Sequence, residues 1–223
     1  MGPVAMIVGG AFVDAFRFIP GHASLLLDES GQTAELAFAA LGIAILLALP
    51  FGLWLGHRHR GLFLALGVSS AGRALPSVAL IGIGIGVLGV GFWNNAAALV
   101  VLGIPPILTN AYFAVEGVDK DAVDAARGMG LTEAQILARV ELPLGLPFLL
   151  AGLRIAAVFV IATATLAGAF GGGGLGDIMV RPVKFGLAGT LAAALCVSAI
   201  ALLTAGVLGL AQGAAFRRMA PKA

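Results

Sequence analysis

Charge is what this chain lacks. Asp, Glu, Lys and Arg together make up 11% of its 223 residues, where a soluble domain carries about 25%. A soluble fold of this length could bury a sizeable core, but it would still need a polar surface. The shortage excludes an ordinary soluble enzyme. Cysteine is nearly absent too: Cys196 stands alone in an apolar run. That excludes a disulfide framework and a C-x-x-C metal or redox motif, and leaves a small apolar filler. The basic residues are few and scattered, and the net charge is +2, so there is no nucleic-acid footprint. No G-x-x-x-x-G-K-[ST] occurs, so the chain has no P-loop with which to hold ATP.

What is present is apolar. Hydrophobic residues are 60% of the chain, and the mean hydropathy is +1.07. This composition predicts an all-α, polytopic membrane protein. Once loops are subtracted, there is room for about five or six spans of about 20 residues each. So few helices enclose a pathway only with a partner copy. Glycine is abundant, 33 residues, and small residues let helices approach closely in lipid.

Along the chain, residues 1–33 are mixed, with Asp14 and Arg17 in a short apolar stretch and Pro20-Gly21 breaking it. They read as an interfacial helix or loosely ordered arm without a signal-peptide n-region. Residues 34–212 read as the membrane domain. Ala34–Leu55 has one charge, at its start, and ends near Trp54 as an interface anchor would. His57-Arg58-His59-Arg60 follows. A metal site is conceivable there, but a cytoplasmic basic turn is the simpler reading. Gly61–Phe92 holds one charge, Arg73, and has Pro76 near its middle. It reads as one long broken element, with Arg73, Pro76 and Ser77 at the break. Arg73 either serves function or snorkels and caps freed carbonyls. Trp93-Asn94-Asn95 reads as a short polar turn. Ala96–Val115 is the next span, with Pro105-Pro106 inside it. Phe148–Phe170, a loop Gly171–Phe185, and a last span Gly186–Gln212 follow. Residues 213–223 form a basic tail. Placing both basic clusters in the cytoplasm requires five spans.

One stretch breaks the pattern. Glu116–Glu141 holds six of the eleven acidic residues and three basic ones. Its signals are those of two short helices within a loop at about 116–147. Asp119 can cap the first, with Asp121 and Asp124 near its positive end. Ala122, Ala125 and Ala126 give it a small-residue face. Gly128 and Gly130 can end it. Thr132-Glu-Ala-Gln135 reads as a capping box. Leu131, Ile136 and Val140 supply an apolar stripe, and Pro143 and Pro147 stop the second helix. The product is either a docking surface or an amphipathic hairpin lying on lipid.

These residues resemble a known family. Asp124-Ala125-Ala126, three residues, Gly130, nine residues and Val140-Glu141-Leu142-Pro143 are similar to the "EAA" loop of ABC importer permeases: E-A-A, three, G, nine, I-x-L-P. Asp124 stands in place of Glu and Val140 in place of Ile; the spacing is intact. Three further runs resemble the permeases for glycine betaine, carnitine or choline. They are Gly72–Ser77, Gly103–Asn110 with Pro105 and Pro106, and Ala162–Leu166 with Thr163 and Thr165, followed by Gly171–Asp177. The resemblance covers roughly residues 34–212. Permeases for methionine share the loop and a Gly-Gly-Leu-Gly turn.

The resemblance implies a five-span permease with cytoplasmic coupling helices, in the bacterial inner membrane. Two copies, identical or related, would surround a pathway. Two ATPase subunits would bind ATP and Mg and dock on Asp124, Ala125, Ala126 and Gly130, with Val140, Leu142 and Pro143 leading back into the membrane. An external binding protein would deliver the solute, and this chain itself would hold no cofactor. Arg73, Pro76, Ser77, Pro105, Pro106, Asn110, Thr163 and Thr165 are the pathway or kink candidates. For a quaternary ammonium solute, Phe51, Phe63, Phe92, Phe113, Phe159 and Phe170 could offer aromatic faces. Gly171, Gly173 and Gly176 formally satisfy G-x-G-x-x-G, but they follow a span and not a strand, so a flexible external turn replaces the dinucleotide reading. Another class, an ATP-independent transporter or channel, would need paired intramembrane acids or an internal repeat, and an intramembrane enzyme would need a nucleophile or metal set at depth. The sequence shows none of these.

Overall fold

The computed structural model describes residues 3–59 and 61–219, and among them there is no strand. The helices are α1 (Pro3–Gly21), α2 (Ala23–His57), α3 (Leu62–Ala74), α4 (Ser77–Leu88), α5 (Phe92–Glu116), α6 (Lys120–Gly128), α7 (Glu133–Ile136), α8 (Leu142–Ala164), α9 (Leu175–Val180) and α10 (Pro182–Met219). A π-helical turn, Leu137–Glu141, joins α7 to α8, and a 3-10 segment, Thr165–Phe170, follows α8. Four helical stretches are long and apolar enough to cross a membrane, and the pair α3/α4 makes a fifth candidate crossing. Leu75 and Pro76 are both extended between α3 and α4. A residue before proline is pushed out of the helical region, so the break falls where the proline predicts it. Arg60, Lys222 and the side chains of Arg73 and Arg218 lie outside the described residues.

Contacts divide the chain into two compact units. One comprises Met1–Ala40, Pro76–Leu99 and Phe159–Leu203; the other comprises Leu41–Leu75, Val100–Val158 and Thr204–Ala223. In the second unit α5 is the hub, and glycines bring three other helices onto it. A methyl group on Gly52 of α2 would lie 2.7 Å from Ala111 Cβ, and one on Gly56 2.5 Å from the Tyr112 carbonyl. On Gly72 of α3 it would lie 2.1 Å from Pro105, and on Gly145 and Gly152 of α8 2.0 Å from the Ala114 carbonyl and 2.2 Å from Asn110 Cβ. Only glycine permits such backbone approach.

The first unit departs from expectation in three places. Trp93-Asn94-Asn95 is not a turn but the first turn of α5, with Asn94 and Asn95 fully buried. Asn94 Nδ2 donates to the Ile81 carbonyl at 3.2 Å, against the bare backbone of Gly84. A buried amide that finds a carbonyl is tolerated within a helix. Gly171–Phe185 is not wholly loop, because α9 occupies Leu175–Val180. The helix of the first span begins at Ala23, well before Ala34.

α10 has a left-handed break at Gly186 (φ +66°), the residue where the last span was expected to start.

Candidate functional site

The loop at 116–147 folds largely as its local signals direct. Asp119 caps α6 and accepts from the Asp121 amide at 3.0 Å. Thr132 and Gln135 form both bonds of a capping box at α7. The chain turns between them at Gly130, whose φ is +83°, a conformation costing a residue with a Cβ about 1–2 kcal/mol. Val118, Val123, Ala126 and Ile136 form a small buried core, with Leu131 and Val140 packed against it. The loop therefore has an interior of its own.

That interior sorts the family-pattern residues. Ala126 is buried within it and shapes the loop from beneath, while Asp124, Ala125 and Gly130 remain exposed. Met129, which the pattern does not include, presents 73% of its surface beside them. A shallow cavity next to this face is lined by His59, Val115, Val118, Lys120, Val123, Asp124 and Arg127.

Pro143 and Pro147 do not end the second helix. The backbone runs helical from Glu133 through Ala164. The π turn widens the helix just ahead of Pro143, where the Leu142 amide reaches back to the Leu137 carbonyl. Pro143 has no amide hydrogen to donate, and it follows one residue after this turn, where the helical ladder has shifted its spacing. Pro147 lies inside α8, as membrane helices allow. Leu142 and Pro143 thus follow the π turn directly within one continuous run of helix.

Of the basic run His57–Arg60, Arg58 and His59 do form a turn, but His57 precedes it. It is the last residue of α2, and only 11% of its side chain is exposed. Its Nδ1 lies 2.6 Å from Glu141 Oε2 and its Nε2 3.4 Å from Glu133 Oε2. Glu133 also receives Arg127, Nε to Oε1 at 3.1 Å and Nη2 to Oε2 at 3.3 Å, and Arg127 Nη1 reaches Asp124 Oδ1 at 3.1 Å. The hydrogen bond to Glu133, and then its charge, hold the Arg127 guanidinium even more firmly protonated than usual. Spacing gave no hint of the His57–Glu141 pair, which lies 84 residues apart in sequence. At the same helix end, Arg58 lies over the Trp54 ring, 5.7 Å from its centroid.

The remaining candidates separate. Pro105 carries Gly72, and Asn110 carries Gly152, while Asn110 Nδ2 bonds back to the Pro106 carbonyl at 2.8 Å. Pro76 caps α4, with Ser77 as its first residue. The hydroxyls of Thr163 and Thr165 both donate to carbonyls of α8, those of Phe159 and Ala162, at 2.8 Å. Phe51, Phe63 and Phe113 belong to one compact unit, and Phe92, Phe159 and Phe170 to the other. In the glycine turn, Gly171 and Gly173 have positive φ. Gly176 lies instead in α9, so close to the 3-10 segment that a methyl group there would meet the Thr165 carbonyl at 1.8 Å. Thr33 Oγ1 accepts the Leu175 amide at 2.8 Å, so the turn is pinned by a residue just outside the expected membrane domain.

Comparison with known proteins adds the family. The pattern described as "Binding-protein-dependent transport system inner membrane component" matches residues 48–219. The chain is 38% identical over 154 residues to the carnitine transport permease protein OpuCB of Listeria monocytogenes, spanning 69% of this chain and 71% of that protein. It is 34% identical over 160 residues to the glycine betaine/carnitine/choline transport system permease protein OpuCB of Bacillus subtilis (strain 168), spanning 72% and 74%. Among solved structures, the inward-facing MetNI methionine ABC transporter aligns with a TM-score of 0.75 at 21% identity, over 87% of this chain and 98% of that chain. The fold is that of an all-α, multi-pass ABC importer permease.

Proposed function

The chain belongs to the family of binding-protein-dependent transport system inner membrane components, and on that premise we propose that it is the permease half of an ATP-driven importer for quaternary ammonium osmoprotectants: glycine betaine, choline or carnitine. Two such permease subunits, identical or related, flank the pathway. Two ATPase subunits dock on the 116–147 loop from the cytoplasm, and an external binding protein delivers the solute. The tail and His57–Arg60 lie on the cytoplasmic side, and the Gly171–Phe185 segment lies outside.

One observation carries this reading best. The loop stands on its own buried core and leaves Asp124, Ala125, Met129 and Gly130 uncovered. A hairpin that merely lay on lipid would turn its apolar residues outward; here Val118, Val123, Ala126 and Ile136 face inward, and charge, small residues and the single Met129 face out. Such a face suits a partner protein. ATP closure of the ATPase pair moves the docked helices, and the spans rock between inward and outward openings.

The solute reading rests on the relatives' names, and methionine or another amino acid is the runner-up. The test is to co-purify the chain with its ATPase and binding protein and measure ATP-dependent uptake of radiolabelled glycine betaine, choline, carnitine and methionine. Uptake of the first three supports the reading. Uptake of methionine alone selects the runner-up, and solute flux without ATP rejects the importer.

A further inference from the structure

A chain of charge joins the buried root of the loop to its exposed face. Glu141 is 1% exposed, at the last position of the π turn. A buried carboxylate is costly unless it is paired and hydrogen-bonded. Among the described residues, the basic side chain within ion-pair distance of Glu141 is His57, at the end of α2. The other ring nitrogen of His57 faces Glu133, Glu133 is held by Arg127, and Arg127 holds Asp124, whose side chain is 72% exposed. Arg58, next in sequence, also acts on Glu133 through its charge. The links run His57 to α7, to the π turn, and on to α6, so the ring touches both ends of the loop's second helix.

The partner face and the end of a membrane-spanning helix are therefore connected by side chains, in addition to backbone. A π turn is a locally weakened piece of helix. Without a brace there, a push on α6 would be absorbed by flexing at Leu137–Glu141. A brace from Glu141 to α2 passes the push to the span instead.

Resting on the importer reading above, we propose that His57 is a positioning residue for coupling: by bridging Glu141 and Glu133 it locks the loop to α2, so that movement of the docked face becomes movement of the span. His57 touches neither solute nor nucleotide. Its role is read in the number of solute molecules moved per ATP hydrolysed, a quantity that a residue needed only for folding does not change in the assembled complex.

The experiment compares variants of the full complex, purified with ATPase and binding protein and reconstituted in vesicles. The probe is a mixture of radiolabelled glycine betaine, choline and carnitine. His57→Ala should leave ATP hydrolysis within about twofold and lower solute moved per ATP by about tenfold, the scale of a typical coupling free energy. His57→Asn paired with Glu141→Gln keeps a donor near the Nδ1 position and removes the buried acid, but leaves Glu133 unbridged, and should recover part of the loss. An unchanged ratio in His57→Ala overturns the proposal, as does a failure of the paired variant to recover. If His57→Ala does not assemble, Glu133→Gln decides. That side chain is 59% exposed, so the fold tolerates it; a lowered ratio supports the brace and an unchanged one overturns it. The wild-type complex separates the two levels. No ATP-driven uptake by wild type overturns the importer reading and the brace with it, whereas normal wild-type uptake with an unaltered His57→Ala ratio overturns the brace alone.

Discussion

At the residue scale, glycine and one histidine matter most. The glycines differ in what surrounds them, and that difference predicts their tolerance. A methyl group on Gly145 would sit 2.0 Å from the Ala114 carbonyl, whereas one on Gly42 meets nothing within 4 Å. Gly145→Ala should force α8 off α5 and sharply reduce the folded protein recovered in detergent. Gly42→Ala should be neutral or stabilise by about 1 kcal/mol, because alanine is the better helix former. Equal yields and melting temperatures for the two would contradict the close packing at α5. The abundance of glycine was visible in composition, but which glycines bear helix contacts depends on packing partners distant in sequence. His57 is the sharper case. It sat in a basic-looking run, and nothing beside it pointed to a partner 84 positions away. Removing the imidazole leaves the buried Glu141 without that partner: thermal unfolding should register a loss of about 3 kcal/mol for His57→Ala, and less for His57→Asn with Glu141→Gln.

At the scale of elements, local rules worked where the structure is local. The Asp119 cap, the capping box and the Gly130 turn each depend on residues a few positions apart, and each formed. The same rules failed where tertiary context intervened. Pro147 reads as a helix stop in water, yet α8 continues through it, since lipid leaves the backbone little alternative to a helix. Asn94 and Asn95 read as a turn, but the Ile81 and Gly91 carbonyls accept from their side-chain amides and let them begin α5. α9 and the Thr33 contact were invisible for the same reason. Two predictions belong here. Ala125→Arg changes the exposed face and should leave the loop folded while abolishing partner-stimulated ATP hydrolysis; Ala126→Arg places a charge in the loop's own core and should destabilise it by about 3 kcal/mol. Limited proteolysis at Arg127 and Arg139 distinguishes them, with rapid cleavage expected only in the second. Thr33→Ala leaves the buried Leu175 amide without its acceptor and should cost about 1–3 kcal/mol, read as faster hydrogen exchange at Leu175. Unchanged exchange would mean that the turn holds without Thr33.

At the scale of the molecule, the fold class followed from scarcity of charge, and the family followed from one spacing in one polar loop. Neither required knowing which residues touch. Orientation adds a direct expectation. With Cys196 replaced by Ala, a cysteine at Met129 should react with a membrane-impermeant thiol reagent only from the cytoplasmic side, and one at Lys184 only from the opposite side. The reverse pattern would invert the topology and remove the loop from any cytoplasmic ATPase. The central claim is that the uncovered face of the loop docks an ATPase, and cross-linking tests it most directly. In native membranes, with Cys196→Ala and Met129→Cys, a short bifunctional thiol-reactive reagent should join this chain to a protein carrying a P-loop, identified by mass spectrometry, with the yield lost in Ala125→Arg. Products containing only lipid or a second copy of this chain, with an ATPase never captured, would contradict the account.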